Sequence, residues 1–248
     1  MMQLLSLAAV ALYCAVSLGV GVRLLLLARR TGEWPEFLIG AGFLCGGMIG
    51  YPFSVVANAM TANAPETAQI ANALGQAGMG LATVFILFSW RVVFAPDLRG
   101  GTALTALWAA CILGLTLLVI LTTSPGPERF SQNTYWPALA AQASAYAVNA
   151  IASLRYASML RRRLEIGLAD PVVANRIRLW GVAGLAITVQ YLYALASILM
   201  VRVGLPAIYH PLTIAILGIG AATCIALAFF PSHAYTERIR AAAAGGRA

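Results

Sequence analysis

The sequence contains no lysine, and only two histidines and eight acidic residues occur among its 248 positions. Charged residues make up 10% of the chain and apolar residues 61%, whereas an ordinary soluble domain has about 25% charged and roughly 45–50% apolar residues. This balance excludes a soluble globular domain. Proton-coupled pumps usually place carboxylates or histidines near the middle of their membrane spans, and no apolar run has one there. A neutral ligand or a facilitative process therefore fits the sequence better.

Several kinds of reactive site are also missing. The four cysteines fall in separate apolar runs, without the close spacing of a metal site or the loop setting of a disulfide framework. Paired catalytic carboxylates, a nucleophile elbow and a phosphate-binding glycine loop are absent. The sequence therefore predicts no catalytic residue, no metal and no cofactor. All sixteen basic residues are arginines, and they are spread among the apolar runs and the short tail without forming a basic domain, which argues against a nucleic-acid partner.

Seven apolar runs are long enough to cross a bilayer, because about 20 helical residues span the hydrocarbon core. They lie near residues 4–27, 37–58, 67–94, 101–122, 136–160, 179–201 and 211–230. Turn-forming prolines and glycines separate them. The predicted fold class is therefore all-α, a polytopic membrane protein with seven transmembrane helices over residues 1–231 and a short basic tail over 232–248. The alanine- and arginine-rich, lysine-free composition suits a bacterium, so the predicted location is the bacterial inner membrane.

The arginines also predict an orientation. Fourteen of them fall on one side of the predicted membrane, and only Arg129 and Arg202 fall on the other. Cytoplasmic loops carry the excess of basic residues, so the amino terminus is expected outside and the carboxyl tail inside. The loop between helices 5 and 6 is then cytoplasmic, with arginines at 161–163, 176 and 178. These arginines are expected to attract anionic lipid headgroups or to dock a cytoplasmic signalling partner.

Helices 3 and 7 share a short sequence pattern. Residues 78–83 (GMGLAT) resemble residues 218–223 (GIGAAT) at an offset of 140, and the same offset places Tyr51 of helix 2 on Tyr191 of helix 6.

Helices 1 and 5 match in the same way. An offset of 132 aligns Ala15-Val16 with Ala147-Val148, and it places Ser17 on Asn149. The two matches predict parallel three-helix repeats over residues 1–100 and 132–231, on either side of helix 4. Parallel repeats of this kind occur in transporters.

This arrangement of three, one and three helices resembles a wide group of seven-helix membrane proteins that includes sugar-permease-like transporters and microbial rhodopsins. The resemblance covers the whole chain but rests on architecture alone, without a family-specific motif. In rhodopsins a lysine of helix 7 holds retinal as a Schiff base, and that chemistry needs an amine. Because the chain has no lysine, a covalent retinal chromophore is excluded, whereas noncovalent binding of a carotenoid or lipid is not.

Polar side chains recur every three or four residues within five predicted spans, so each set lies on one helix face. In lipid such faces are expected to point into the bundle. We therefore predict a central cavity that opens to the outside and binds an unknown small-molecule ligand. Its predicted lining residues are Tyr13, Ser17, Tyr51, Asn58, Gln69, Asn72, Gln76, Gln142, Tyr146, Asn149, Gln190 and Tyr193. The alternative is that these groups form hydrogen bonds between helices, each worth around 0.6 kcal/mol.

Two further features bear on packing and gating. Gly42, Gly46 and Gly50 recur every four residues on helix 2, which permits close helix packing, and Pro52 predicts a kink in the same helix.

Arg23 and Arg155 occupy equivalent positions in the predicted repeats. They either extend to the lipid interface or form a paired clamp on an anion at a cytoplasmic gate, with Glu36 or Asp97 as partners.

Three functions remain open at this point. The first is a permease or ligand-binding carrier for a small neutral or weakly polar molecule, which the repeat and the polar helix faces favour. The second is a membrane receptor that signals through the basic loop between helices 5 and 6. The third is a membrane enzyme acting on lipids, which the lack of an acid, base or metal cluster makes the weakest.

Overall fold

A computed structural model describes residues 2–126, 132–206, 208 and 211–245. Arg129, on which the orientation prediction partly relies, and Arg247 of the tail lie outside this part of the chain.

The described residues form eight helices and no strands. The helices are α1 (Met2–Thr31), α2 (Trp34–Met60), α3 (Pro65–Phe94), α4 (Gly101–Thr122), α5 (Tyr135–Glu165), α6 (Pro171–Arg202), α7 (Pro211–Phe229) and α8 (His233–Gly245). Prolines occupy the first turns of α2, α3 and α6, where a missing backbone N–H costs nothing. The predicted all-α class is confirmed.

Among the described helices, α1, α2, α3, α4, α6 and α7 are long and apolar enough to cross a membrane. This is consistent with a multi-pass integral membrane protein. The remaining predicted span, 136–160, falls on α5, which is not in this group. Its glutamine, asparagine and serine side chains lower its hydropathy, and Gln142, Asn149 and Ser153 are all buried.

Six helices form a closed ring. Around it, α1 packs on α2, α2 on α3, α3 on α5, α5 on α6, α6 on α7, and α7 back on α1. α4 lies outside the ring and packs on α3 and α5, where Ala109 and Ile112 meet Leu87 and Ala145. α8 packs on α6. The packing order is unchanged when α1, α2 and α3 are exchanged for α5, α6 and α7.

The middle of α2 is wider than an ordinary α-helix. Residues Leu44–Gly50 form π-helical turns between two α-helical segments, Trp34–Phe43 and Tyr51–Met60. Pro52 follows directly, and it has no N–H to complete the regular ladder. Inserted π turns of this kind relieve such a break. The kink predicted at Pro52 stays a prediction; the structure shows that the irregular turns begin at Leu44, eight residues before the proline.

Glycines set the spacing between α2 and its neighbours. A Cβ added at Gly46 would lie 3.0 Å from the Ala82 Cβ, and one added at Gly50 would lie 2.9 Å from the Met79 nitrogen. On the α1 side, a Cβ at Gly47 would collide with the Ser17 side chain at 2.1 Å. The predicted glycine face therefore packs inside the bundle, against α3.

We expect Gly78→Val to destabilise the protein by about 1–3 kcal/mol, the usual cost of overpacking. A Cβ at Gly78 would lie 2.6 Å from the Gly50 nitrogen and 2.7 Å from the Cys45 carbonyl oxygen, and these backbone atoms cannot rotate away. Thermal unfolding in detergent measures the effect. Gly114→Val on α4 is the matched control, since nothing lies within 4 Å of its added Cβ; equal effects of both variants would contradict close α2–α3 packing.

Candidate functional site

The ring encloses a cavity of about 190 Å³. All six ring helices contribute to its wall, whereas α4 does not. Small and apolar side chains form most of the lining, including Ala183, Gly184 and Ile187 of α6 and Gly218 and Ala221 of α7. The few polar groups of the cavity wall therefore lie in mostly apolar surroundings.

Tyrosines are the dominant aromatic side chains of this wall. Tyr13, Tyr51, Tyr135, Tyr146 and Tyr191 all line it. The Tyr13 and Tyr51 rings meet edge to face with centroids 5.6 Å apart, and the Tyr146 and Tyr191 rings stack at 5.6 Å. Stacked and edge-to-face pairs are the favourable aromatic geometries, so the rings support one another and present aromatic surface to the cavity.

The hydroxyl group of Tyr191 is directed away from the cavity. It donates a hydrogen bond of 2.9 Å to Gln142 Oε1, and Gln142 is buried behind the wall rather than in it. The polar end of this tyrosine is thereby satisfied within the protein, and its ring remains available for contact with a ligand.

Asn149 differs from the other polar residues of the cavity wall because its side-chain oxygen is buried without a hydrogen-bond partner in the described part of the chain. Its side chain lines the cavity and is only 2% exposed. Its Oδ1 atom is buried and accepts no hydrogen bond from any described residue. A buried acceptor without a partner costs about 1–3 kcal/mol. Among the polar groups of the cavity wall, this oxygen is therefore the buried acceptor that lacks a donor.

Gln190 also lines the cavity, but its amide is already used. The Gln190 Nε2 atom donates to the Ile214 carbonyl at 3.0 Å and so joins α6 to α7. Near the end of α6, the Tyr193 hydroxyl donates to the Ile208 carbonyl in the connection between these helices. Both side chains hold the two helices together.

An aromatic cluster made of Phe43, Trp180 and Phe229 lies at one end of the cavity. The three rings meet edge to face, with centroids 5.7 to 6.2 Å apart. Arg23 donates to the Phe229 carbonyl at 2.8 Å, and its guanidinium lies 5.1 Å from the centre of the Phe230 ring. Its partners are thus backbone and aromatic groups, not Glu36 or Asp97 as the clamp hypothesis expected.

The structure brings five of the twelve predicted site residues to the cavity wall. These are Tyr13, Tyr51, Tyr146, Asn149 and Gln190. They come from α1, α2, α5 and α6, so the faces predicted on these helices do meet at one place. A ligand-binding role for them stays a prediction.

The other seven predicted residues do not line the cavity. Gln142 and Tyr193 form the contacts described above, and Ser17 is buried against Gly47. On α3, Asn72 donates to the Thr123 carbonyl at 3.4 Å, and Gln76 is buried away from the cavity.

Asn58 and Gln69 lie near the ends of α2 and α3 that adjoin the same turn, and both are exposed. The Asn58 amide donates to the Ser54 carbonyl of its own helix at 2.8 Å. Both side chains are therefore exposed near a helix end and do not point into the bundle.

The sequence prediction omitted several residues of the wall. Phe43, Met79, Tyr135 and Trp180 line the cavity, and nothing in a single apolar span distinguishes them from core side chains. Tyr191 could have been included, because the repeat alignment already paired it with Tyr51.

Comparison with known protein families, curated proteins and solved structures finds no match for this chain. The comparisons therefore give no support to the resemblance to the transporter and rhodopsin group.

We expect Asn149→Leu to leave the ligand-free protein as stable as the wild type or to stabilise it by about 1 kcal/mol, because the change removes an unpaired buried acceptor. Gln142→Leu, the matched control on the same helix, should destabilise by about 1–3 kcal/mol because it strands the Tyr191 hydroxyl. Thermal unfolding in detergent distinguishes the two. A large loss of stability in Asn149→Leu would show that its oxygen has a partner.

Proposed function

We propose that the chain is a seven-span membrane protein of the bacterial inner membrane, with the amino terminus outside and the carboxyl terminus inside. Six of the spans are the apolar helices named above, and the additional span is α5. Its 31 residues extend about 46 Å at 1.5 Å per residue, and it packs between α3 and α6 in the ring. Its polar side chains Gln142, Asn149 and Ser153 are buried, so its low hydropathy does not require contact between these groups and lipid.

This topology predicts that the two ends of α5 lie on opposite sides of the membrane. Reporter fusions after Gly126 should show external alkaline phosphatase activity, and fusions after Gly167 should give cytoplasmic fluorescence of green fluorescent protein. Fusions after Gly32 and Ala64, on either side of α2, provide the matched comparison because α2 is apolar enough to span. The same reporter pattern at Gly126 and Gly167 would contradict a crossing by α5.

The same proposal assigns the chain a function as a permease or carrier for a small, neutral or weakly polar molecule. The single observation that carries it is a cavity inside the helix ring with aromatic walls and one residue, Asn149, whose buried Oδ1 atom is unpaired among the described residues. Ligand sites are typically concave and mostly apolar, with a few polar groups that fix the ligand's orientation. The cavity has this composition.

The size of the cavity limits the ligand. An engineered protein cavity of about 150 Å³ binds benzene, and the cavity here measures about 190 Å³. In proportion to benzene, a ligand with roughly eight non-hydrogen atoms is therefore the expected size. Aromatic walls favour a flat or apolar body, and the free acceptor favours an N–H or O–H donor.

The symmetry of the ring supports transport over simple binding. In the first half, a Cβ added at Gly78 of α3 would lie 2.6 Å from the Gly50 nitrogen of α2; in the second, a Cβ added at Gly218 of α7 would lie 3.5 Å from the Gln190 Nε2 atom of α6. Both pairs are related by the offset of 140, so the two halves pack in the same register. Transporters with such repeats move one half against the other around a central site.

Benzamide and acetophenone test the proposed chemistry, because they have the same shape and only benzamide donates N–H bonds. Benzamide should bind the purified protein roughly tenfold more tightly than acetophenone. A bound acetophenone leaves the buried acceptor without a hydrogen bond, which costs about 1–3 kcal/mol. In Asn149→Leu the preference should disappear. Calorimetry in detergent measures both affinities, and equal binding of the two compounds to the wild type would contradict the role of Asn149.

Uptake of radiolabelled benzamide into liposomes distinguishes a permease from a receptor. A permease should accelerate uptake above that of protein-free vesicles, and Asn149→Leu should remove the acceleration. Binding with no added flux would instead favour the receptor hypothesis, in which the basic cytoplasmic side recruits a signalling partner.

A further inference from the structure

A second cavity lies between the ends of α5 and α6 and the helix α8, well away from the central one. It measures about 490 Å³. Leu154, Ala157 and Leu164 of α5 line one side, and Ile239, Ala242 and Ala243 of α8 line another. Most of its wall is therefore apolar.

Two arginines give this cavity a positive charge. Arg161 of α5 and Arg178 of α6 both line it, together with Ser158 and Asn175. No carboxylate is among the lining residues, and in the described part of the chain neither guanidinium forms an ion pair. The acidic residue of α8, Glu237, pairs with Arg240 instead. Both guanidinium groups thus remain available to an anion.

α8 is held in place as the third wall. The Asn175 amide of α6 donates to the Tyr235 hydroxyl of α8 at 3.0 Å. Since α8 packs on α6, this bond fixes the helix beside the two arginines. The cavity is therefore built from three separate elements rather than from one basic helix.

We infer that this cavity binds a phosphate-containing anion with an apolar body, supplied by an anionic membrane phospholipid. Guanidinium groups pair well with phosphate, and basic pockets between helices at the cytoplasmic side bind lipid headgroups of this kind. The apolar walls formed by Leu154, Leu164 and Ile239 then contact the glycerol backbone and the first acyl carbons. A free phosphate ester shares the anionic group but gains nothing from these walls.

Native mass spectrometry of the purified protein with dioleoylphosphatidylglycerol tests the inference. Arg161→Gln combined with Arg178→Gln should lower lipid affinity about twenty-five-fold, because each basic residue near a lipid surface contributes about fivefold. Arg162→Gln combined with Arg176→Gln is the matched control, with the same charge change on the same two helices outside the cavity wall. It should retain most of the binding. Equal losses in the two double variants would overturn the inference, since they would show general attraction to the basic surface.

A second pair of variants tests the shape of the cavity without changing its charge. Ala243→Trp should block lipid binding by filling the cavity, whereas Ala241→Trp, two residues away, exposed and outside the cavity wall, should not. Unchanged thermal unfolding in both variants shows that the fold is intact, and lipid binding that survives Ala243→Trp would overturn the inference.

Glycerol 1-phosphate separates the two sources of the anion. It should compete with the phospholipid only weakly, because it lacks the acyl chains. Competition at matched concentration would overturn the assignment to a lipid.

Discussion

The fold depends on one constraint, that polar side chains on the helices of an apolar bundle must find partners or space inside it. Gln142 meets it by accepting a bond from Tyr191, and Asn72 meets it by reaching Thr123. Asn149 meets it only in part, because its buried oxygen has no donor among the described residues. The constraint is therefore met incompletely at a residue of the cavity wall.

Uneven side-chain size explains why the closed ring still contains a cavity. On the contact between α2 and α3, glycines such as Gly50 and Gly78 bring the backbones together. On the inner face of α5 and α6, the stacked rings of Tyr146 and Tyr191 hold the wall apart. Because interiors otherwise pack densely, an unfilled volume bounded by paired rings is a property of this arrangement rather than of loose packing.

The sequence predicted the positions of the helices well, and it predicted some of the residues that line the cavity. Apolar runs of about twenty residues located the bundle helices, but α5 and α6 extend beyond their runs to include arginines. The tail was expected as a basic segment and forms α8, a helix too short and too polar to show a spanning signal. Helical periodicity shows which residues share a face, but not which neighbour that face meets. For this reason Asn149 reached the cavity, while Ser17, its partner in the repeat alignment, packs on Gly47.

The position of α4 makes the two seams of the ring unequal. The seam between α3 and α5 is covered by α4, with Ile112 packed over Leu87 and Ala145. The matching seam between α1 and α7 has no such cover among the described helices, and Gly19 faces only the Phe230 ring across it. The wall of the ring is therefore one helix thinner on the α1–α7 flank than on the α3–α5 flank.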